Sequence, residues 1–270
     1  MNDMNLDPIF HDNPVQLSDV TIVIPIRVES EERKNNLETI LNVLNRDFST
    51  SIIVREGDKK QKFYPPEGID NLIYEFVYDE EDTFNRTRHR NQLLHQAKTP
   101  YVGVWDTDAI AIPEQVAEAV NCLRQNKAVM VFPYDGRFYM LNEVLSKLFR
   151  KYMDYNILAS TTGLMRSMHG YNSLGGAFIV NKDEYLNAGG ENENFCGWDA
   201  EDDERVKRME VLGLAVFFAQ GPMYHLWHPK LQTGRFANEE IERRNRKAFL
   251  KTCASDKDTL LKEISTWKQK

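Results

Sequence analysis

Two aspartates, one residue apart, close an apolar run in "YVGVWDTDAI". Asp106 and Asp108 are spaced i, i+2, so on an extended chain both carboxylates point to one side. Ligands of open α/β sheets bind at the carboxyl ends of strands, and hard carboxylate oxygens there suit Mg2+ or Mn2+ bridging a diphosphate. Taken alone the pair is equally an ordinary polar loop; its place directly behind a buried strand adds weight. Further on, "MYHLWHP" carries His225 and His228. Imidazole suits Mn2+ better than Mg2+, and a hydrogen-bonded pair of loop histidines is the simpler alternative.

A third motif, "FCGWDAEDDERVKRM", crowds Asp199, Glu201, Asp202, Asp203 and Glu204 together and then turns helical. Consecutive helical residues point about 100° apart, so these carboxylates cannot all share one site. Asp203 and Glu204 suit the positive end of the helix dipole. Glu201 and Asp202 are left to face a cleft, where a carboxylate can take a proton. Trp198 offers a flat apolar face of the kind sugars stack on, although an isolated Trp is more often core. Basic residues supply the rest. Arg86, Arg88 and Arg90 in "DTFNRTRHRN" stand near a helix start and suit phosphate contacts, or else form a solvated face. "ERRNRKAF" near the C-terminus could touch anionic lipid, but the neighbouring Glu239, Glu240 and Glu242 favour a solvated helix.

These residues need a scaffold, and the first half of the chain spells one out. "VTIVIPI", "SIIVREGD", "NLIYEFVYD" and "YVGVW" read as strands. Between them, "SEERKNNLETILNVLN" places Leu37, Ile40, Leu41 and Leu44 on one helical face with Ser30 as N-cap. A second helix, "TFNRTRHRNQLLHQA", opens at Thr83. The order β-α-β-β-α-β implies an α/β fold with a mainly parallel central sheet flanked by helices. The second half is less regular. "AVMVFPY", "GAFIVN" and "LAVFFA" read as strands. "LNEVLSKLFRKYMDYNI" reads as one helix, and "STTGLMRSMHGYNSLGG" as a long loop. From Asn238 the chain is helical in two segments split near Ser255.

Composition bounds the partners. The 270 residues suit one large α/β domain, with 41% hydrophobic and 28% charged residues marking a globular chain. A net charge of −7 argues against general nucleic-acid binding but not against a metal-chelated nucleotide. Three cysteines without a CxxC suggest neither a disulfide framework nor a zinc site. The polar N-terminus does not read as a signal peptide. No apolar run approaches the roughly 20 residues needed to span a bilayer. The expected location is therefore cytoplasmic, with peripheral contact at the inner face of a membrane left open.

Together and in this order, the motifs resemble the metal-dependent glycosyltransferases of the GT-A fold, a nucleotide-diphospho-sugar transferase fold. Within them they look most like the beta-1,4-galactosyltransferase and chondroitin-polymerase branch. The resemblance runs from about Val20 to His228. "IPIRVESEERKNNL" is similar to that branch's first strand and helix, which implies nucleotide contacts from Pro25 and Arg27. Glu56, with Asp58 behind it, is carried over as a contact to the base. "DTFNR" matches a Phe-Asn-Arg element and implies that Phe84 and Arg86 touch uridine diphosphate. "WDTD" takes the place of an Asp-Val-Asp, with Asp106 beside the nucleotide and Asp108 as metal ligand. "LGGAFIVNKDEYLNAGGENENFCGWDAEDDE" is similar to a Gly-Gly and Gly-Trp-Gly-Gly-Glu-Asp-Asp-Asp region, the most specific block of the match. Under this resemblance Gly176 and Trp198 line the sugar sites, Glu201 binds sugar hydroxyls, and Asp202 is the general base.

The resemblance also assigns the second metal ligand to His225. In a strand-like segment His225 and His228 face opposite sides, so His228 is expected to play a lesser part. Related retaining enzymes carry Asn where this chain has Asp202, which favours inversion. Ser173 is small where a bulkier residue restricts the donor pocket in the resembled enzymes. It leaves room for an N-acetyl group, so UDP-GalNAc or UDP-GlcNAc is expected before UDP-galactose. Asp199 and Ala200 replace two glycines of the pattern, and no methionine stands three residues before His225. The resemblance thus implies one domain. Its nucleotide-binding half covers about 18–112, its acceptor half about 113–236, and its C-terminal helices 237–270. The implied reaction moves a hexose or N-acetylhexosamine from a UDP-sugar to a glycan or glycolipid acceptor, with Mn2+ or Mg2+. A nucleotidyltransferase and a non-catalytic sugar-nucleotide or glycan-binding module are the alternatives; the Gly-Trp…Glu-Asp block weighs against the first.

Overall fold

The computed structural model describes residues 13–267 except 169, 171, 198–199 and 230–237. In the first half the chain runs β1 (Val15–Ile26), α1 (Glu31–Asp47), β2 (Phe48–Asp58), β3 (Leu72–Tyr78), α2 (Arg86–Gln96), β4 (Tyr101–Trp105), β5 (Ala109–Ile110) and α3 (Pro113–Arg124). It continues through β6 (Met130–Phe132), β7 (Phe138–Met140), α4 (Glu143–Tyr152), α5 (Tyr155–Thr161), β8 (Arg166–Ser167), β9 (Ala177–Asn181) and α6 (Lys182–Asn187). Last come α7 (Glu201–Leu212), β10 (Val216–Phe218), β11 (Met223–His225), α8 (Glu239–Ala254) and α9 (Lys257–Ile264).

A seven-stranded sheet in the order β10-β6-β9-β4-β1-β2-β3 forms the centre. Strands β1 to β4 pair in parallel, as do β6 and β10; β9 alone in this sheet runs antiparallel, between β4 and β6. The mainly parallel, helix-flanked sheet inferred from the sequence is the architecture found. Its strands are apolar because both faces are covered: Ile22, Val23, Ile24, Ile52, Val54, Val102 and Val104 are all buried. Leu37, Ile40, Leu41 and Leu44 of α1 join this core, and the Ser30 side chain caps the helix by accepting from the Arg33 N–H.

Two pairings bring the functional residues together. The antiparallel β9 sets Ala177 opposite Trp105, so its leading glycines arrive where β4 ends in Asp106. The Asp106 N–H donates to the Gly176 carbonyl at 2.7 Å. A second sheet, ordered β5-β11-β7-β8, pairs His225 with Ala109 and with Met140. Strands of two or three residues build it, too short for periodicity to reveal.

Three local expectations change. Helix α2 opens at Asn85 rather than Thr83, because the Asn85 side chain accepts from the Arg88 N–H at 3.0 Å. The helix read across 141–157 is two helices. Met153 takes a left-handed conformation (φ 48°) and Asp154 caps α5. The long loop that follows holds a 3-10 turn at Thr162–Leu164 and strand β8. No described helix is long and apolar enough to cross a membrane.

Candidate active site

At the carboxyl ends of β1 and β4 lies a cleft of about 640 Å³. Asp108 stands on one wall, buried, with His225 Nε2 3.4 Å from its Oδ1 and His228 Nε2 3.1 Å from its Oδ2. One donor atom from each residue falls within 4.8 Å of the other two. Strand β11 delivers His225 through its pairing with β5. The extended chain ends there, so the alternation expected to turn His228 away does not apply, and both imidazoles reach the same carboxylate. His228 Nδ1 lies 2.9 Å from the Pro229 carbonyl, which only an N–H can satisfy. His228 Nε2 is turned to a carboxylate oxygen of Asp108. This O,N,N set is of the kind that holds Mn2+. Two cis donors each about 2.1 Å from an ion sit about 3 Å apart, close to the spacings seen here. Burial opposes ionisation of Asp108, but His225, His228 and Arg33 outweigh it and hold the carboxyl far below its usual range. Burial lowers the pKa of His225 against the opposing pull of the Asp108 carboxylate.

Pro25, Arg27, Phe84, Arg86 and Asp106 also line the cleft. The Arg27 guanidinium donates to the Gly57 and Glu81 carbonyls, pairs with Asp79 at 3.0 Å, and lies 5.2 Å from the centre of the Phe84 ring. Asp202, at the start of α7, also opens on the cleft. Its Oδ1 accepts from Arg205 Nη1 at 2.8 Å, while Oδ2 lies against Gly175, where an added Cβ would come within 2.9 Å. Ser173 and Gly176 line the same cavity. The Ser173 hydroxyl is turned away to donate to the Met168 carbonyl. Gly176 has φ +84° and packs against Phe138 and Met223, so a side chain there is excluded twice over.

A model of the glycosyltransferase-like family 2 matches residues 21–236 of the chain. The chain belongs to this family. No curated protein sequence matches it. Among solved structures it is similar to a mutant of Drosophila beta-1,4-galactosyltransferase 7 in complex with manganese, UDP-Gal and xylobiose. That likeness has 16% identity, spans 84% of this chain and 78% of the other, and has a TM-score of 0.52. The catalytic domain of the same Drosophila enzyme with xylobiose aligns at 14% identity over 90% and 83% of the two chains, TM-score 0.51. Glucosyl-3-phosphoglycerate synthase from Mycobacterium tuberculosis, in complex with Mn2+, UDP and phosphoglyceric acid, aligns at 13% identity and a TM-score of 0.48. The first two likenesses show the GT-A fold.

Three residues of this glycosyltransferase, Glu56, Asp58 and Glu201, do not stand where the resemblance puts them. Glu56 is fully buried. Its carboxylate accepts from the Lys62 and Phe63 N–H groups and from the Tyr74 hydroxyl, so it holds the loop after β2 and does not face the cleft. Asp58 is likewise turned to Lys59 and Lys62. Glu201 is buried at 4% exposure and does not line the cavity. Burial, then the charge of Asp202, pushes its pKa up to about 7. Trp198 lies outside the described residues. The three arginines of the 86–90 run part company: Arg86 faces the cleft, Arg88 pairs with Asp79 and Glu81, and Arg90 is buried. Asp203 lines the cleft, whereas Glu204 is buried against Arg208 at 3.2 Å. Arg33 was missed. It lines the cleft with Nη1 3.8 Å from Asp108. One signal pointed to it: a basic residue in the first turn of a helix opposes the dipole and needs another reason to be there.

Proposed function

We propose that this enzyme moves a hexose or N-acetylhexosamine from a UDP-sugar to a hydroxyl of a glycan or glycolipid acceptor, with inversion and with dependence on Mn2+ or Mg2+. One observation carries the reading. The Asp108–His225–His228 set and the carboxylate of Asp202 open on one cleft, which Asp106 and Gly175-Gly176 also line. The manganese, UDP-Gal and xylobiose bound by the similar Drosophila enzyme are of the same chemical kind.

Arg86 is the cation placed to meet the diphosphate, and Phe84 and Arg27 form the wall for the base. Asp108, His225 and His228 would hold the metal, which supplies positive charge against the leaving diphosphate. Asp202 takes the acceptor proton as the hydroxyl oxygen attacks the anomeric carbon. The bond from that carbon to the diphosphate oxygen breaks, and attack from the opposite face inverts the configuration. A carboxylate at 202, rather than an amide, supports a base. The small Ser173 supports a donor with an N-acetyl group. In this reading the half to about residue 112 serves the nucleotide and the half to about 236 the acceptor. The enzyme works in the cytoplasm or at the inner face of the membrane, without nucleic acid as partner.

Incubation with labelled UDP-GalNAc, UDP-GlcNAc and UDP-galactose plus Mn2+, with UDP release as readout, tests it. Turnover is expected with an N-acetyl donor and is lost on chelation. Full turnover in excess EDTA defeats the metal assignment, and a strong preference for UDP-galactose defeats the donor assignment.

A further inference from the structure

Behind the cleft, three charged side chains meet in the interior. Arg90 of α2, Glu191 from the turn after α6, and Arg205 of α7 are each no more than 3% exposed. Arg205 grips Glu191 with a fork: Nε to Oε1 and Nη2 to Oε2, both at 2.8 Å. Its third edge, Nη1, donates to Asp202 Oδ1 at 2.8 Å. Arg90 Nη1 approaches Glu191 Oε2 at 3.3 Å and Asp202 Oδ1 at 3.8 Å, while its Nη2 reaches Asp106 Oδ1 at 3.4 Å. The Tyr185 hydroxyl also donates to Glu191. The Glu191 backbone is pinned to Asn91 by its N–H and its carbonyl, at 2.8 and 2.9 Å. The Arg205 guanidinium lies 4.2 Å from the centre of the Phe178 ring.

Charge counting gives this cluster a direction. Two guanidinium groups share one fully buried carboxylate, which leaves one positive charge over in the dry interior. The other carboxylates that pair with them are Asp106 and Asp202, whose side chains are 33% and 26% exposed at the cleft. The surplus positive charge is therefore turned towards Asp106 and Asp202, the two aspartates at the cleft.

We propose that Arg90, Glu191 and Arg205 are positioning residues that fix Asp106 and Asp202 relative to each other, clamping Oδ1 of Asp202 so that Oδ2 faces the acceptor. This rests on the reading of Asp202 as the base. Arginine is required at 205 because one planar group serves Glu191 with two donors and Asp202 with a third; an ammonium cannot span both.

A double-mutant cycle tests it, with UDP release from the best donor and water as the acceptor, and with UDP affinity measured by calorimetry. Arg205→Lys is expected to lower kcat about 100-fold, the effect of a reacting group misplaced by about 1 Å. KM for the donor and UDP affinity stay within about twofold. In an Asp202→Asn background the same change costs less than about twofold, because the group it positions is already gone. Glu191→Gln, which keeps the shape of the anchor and removes its charge, shows the same dependence on Asp202 and serves if Arg205→Lys does not fold. Equal losses in both backgrounds overturn the positioning role and leave the base intact. Full turnover by Asp202→Asn itself removes the base, and the positioning role with it.

Discussion

Asp202 commits Oδ1 to Arg205 and turns Oδ2 to the space above Gly175, an asymmetry suited to a group that must be held still and yet accept a proton. Asp203 also lines the cleft but sits one residue, about 100°, further round the helix. Asp202→Asn should lower kcat by about 10²- to 10⁴-fold with UDP affinity unchanged, the usual worth of a general base. Asp203→Asn should cost less than about tenfold. Similar losses in both would show that the base is misassigned. Helical geometry shows that the clustered carboxylates cannot all share one site, but it leaves Asp203 to the helix dipole, whereas Asp203 lines the cleft beside Asp202. It could not reveal that Glu201 turns inward or that Glu204 is buried against Arg208 and Thr252, since those fates depend on what packs over α7. Glu56 marks the same limit: its three hydrogen-bond donors come from a loop and a strand that no local pattern ties to it.

Strand β11 and the turn behind it bring two imidazoles to Asp108. Pairing with β5 and β7 aims His225 at Asp108, and release from the strand after His225 lets His228 swing to the same carboxylate. Both imidazoles thus reach Asp108, where the extended-chain argument separated them. His225→Ala and His228→Ala should each weaken Mn2+ binding by about tenfold or more, as loss of a ligand should by at least the cost of losing an outer-shell partner. Free Mn2+ counted by electron paramagnetic resonance checks this without turnover. A shift for His225→Ala alone would restore the strand-based assignment, and no shift in either would remove histidine from the site. The long parallel strands and α1 could be read from the sequence because they combine β-branched runs or a 3.6-residue period with burial. The β5-β11-β7-β8 sheet could not, because alternation takes four or more residues to recognise and its strands have two or three.

Across the whole molecule, buried titratable groups give stability a pH dependence with opposing parts. Burial lowers the pKa of His89 from 6.5 to about 4. That ring stays neutral in the fold, so its stability is complete above about pH 6.5 and is lost as pH falls through 4. His225 moves in the same direction. Glu201 does the reverse. Its pKa rises from 4.5 to about 7, so the fold holds a proton that the unfolded chain has released. Its stability is complete below about pH 4.5 and is lost as pH rises through 7. Glu191, lowered to about 2 by Arg205 and Arg90 against the pull of burial, contributes above pH 4.5 and fails only in strong acid. Over pH 4.5 to 6.5 the histidines favour rising pH and Glu201 opposes them, which flattens the profile of the native enzyme. Glu201→Gln removes the opposing part. Thermal or urea unfolding in EDTA from pH 4 to 8 should show the variant gaining on the native enzyme from about pH 4.5 and levelling off above about pH 7. The gain should approach about 1.4 kcal/mol for every tenfold difference in proton affinity between the folded and unfolded carboxyl. Parallel profiles would mean that Glu201 is ionised in the fold, and the interior beneath the cleft would then hold one more negative charge than its burial and the neighbouring Asp202 allow.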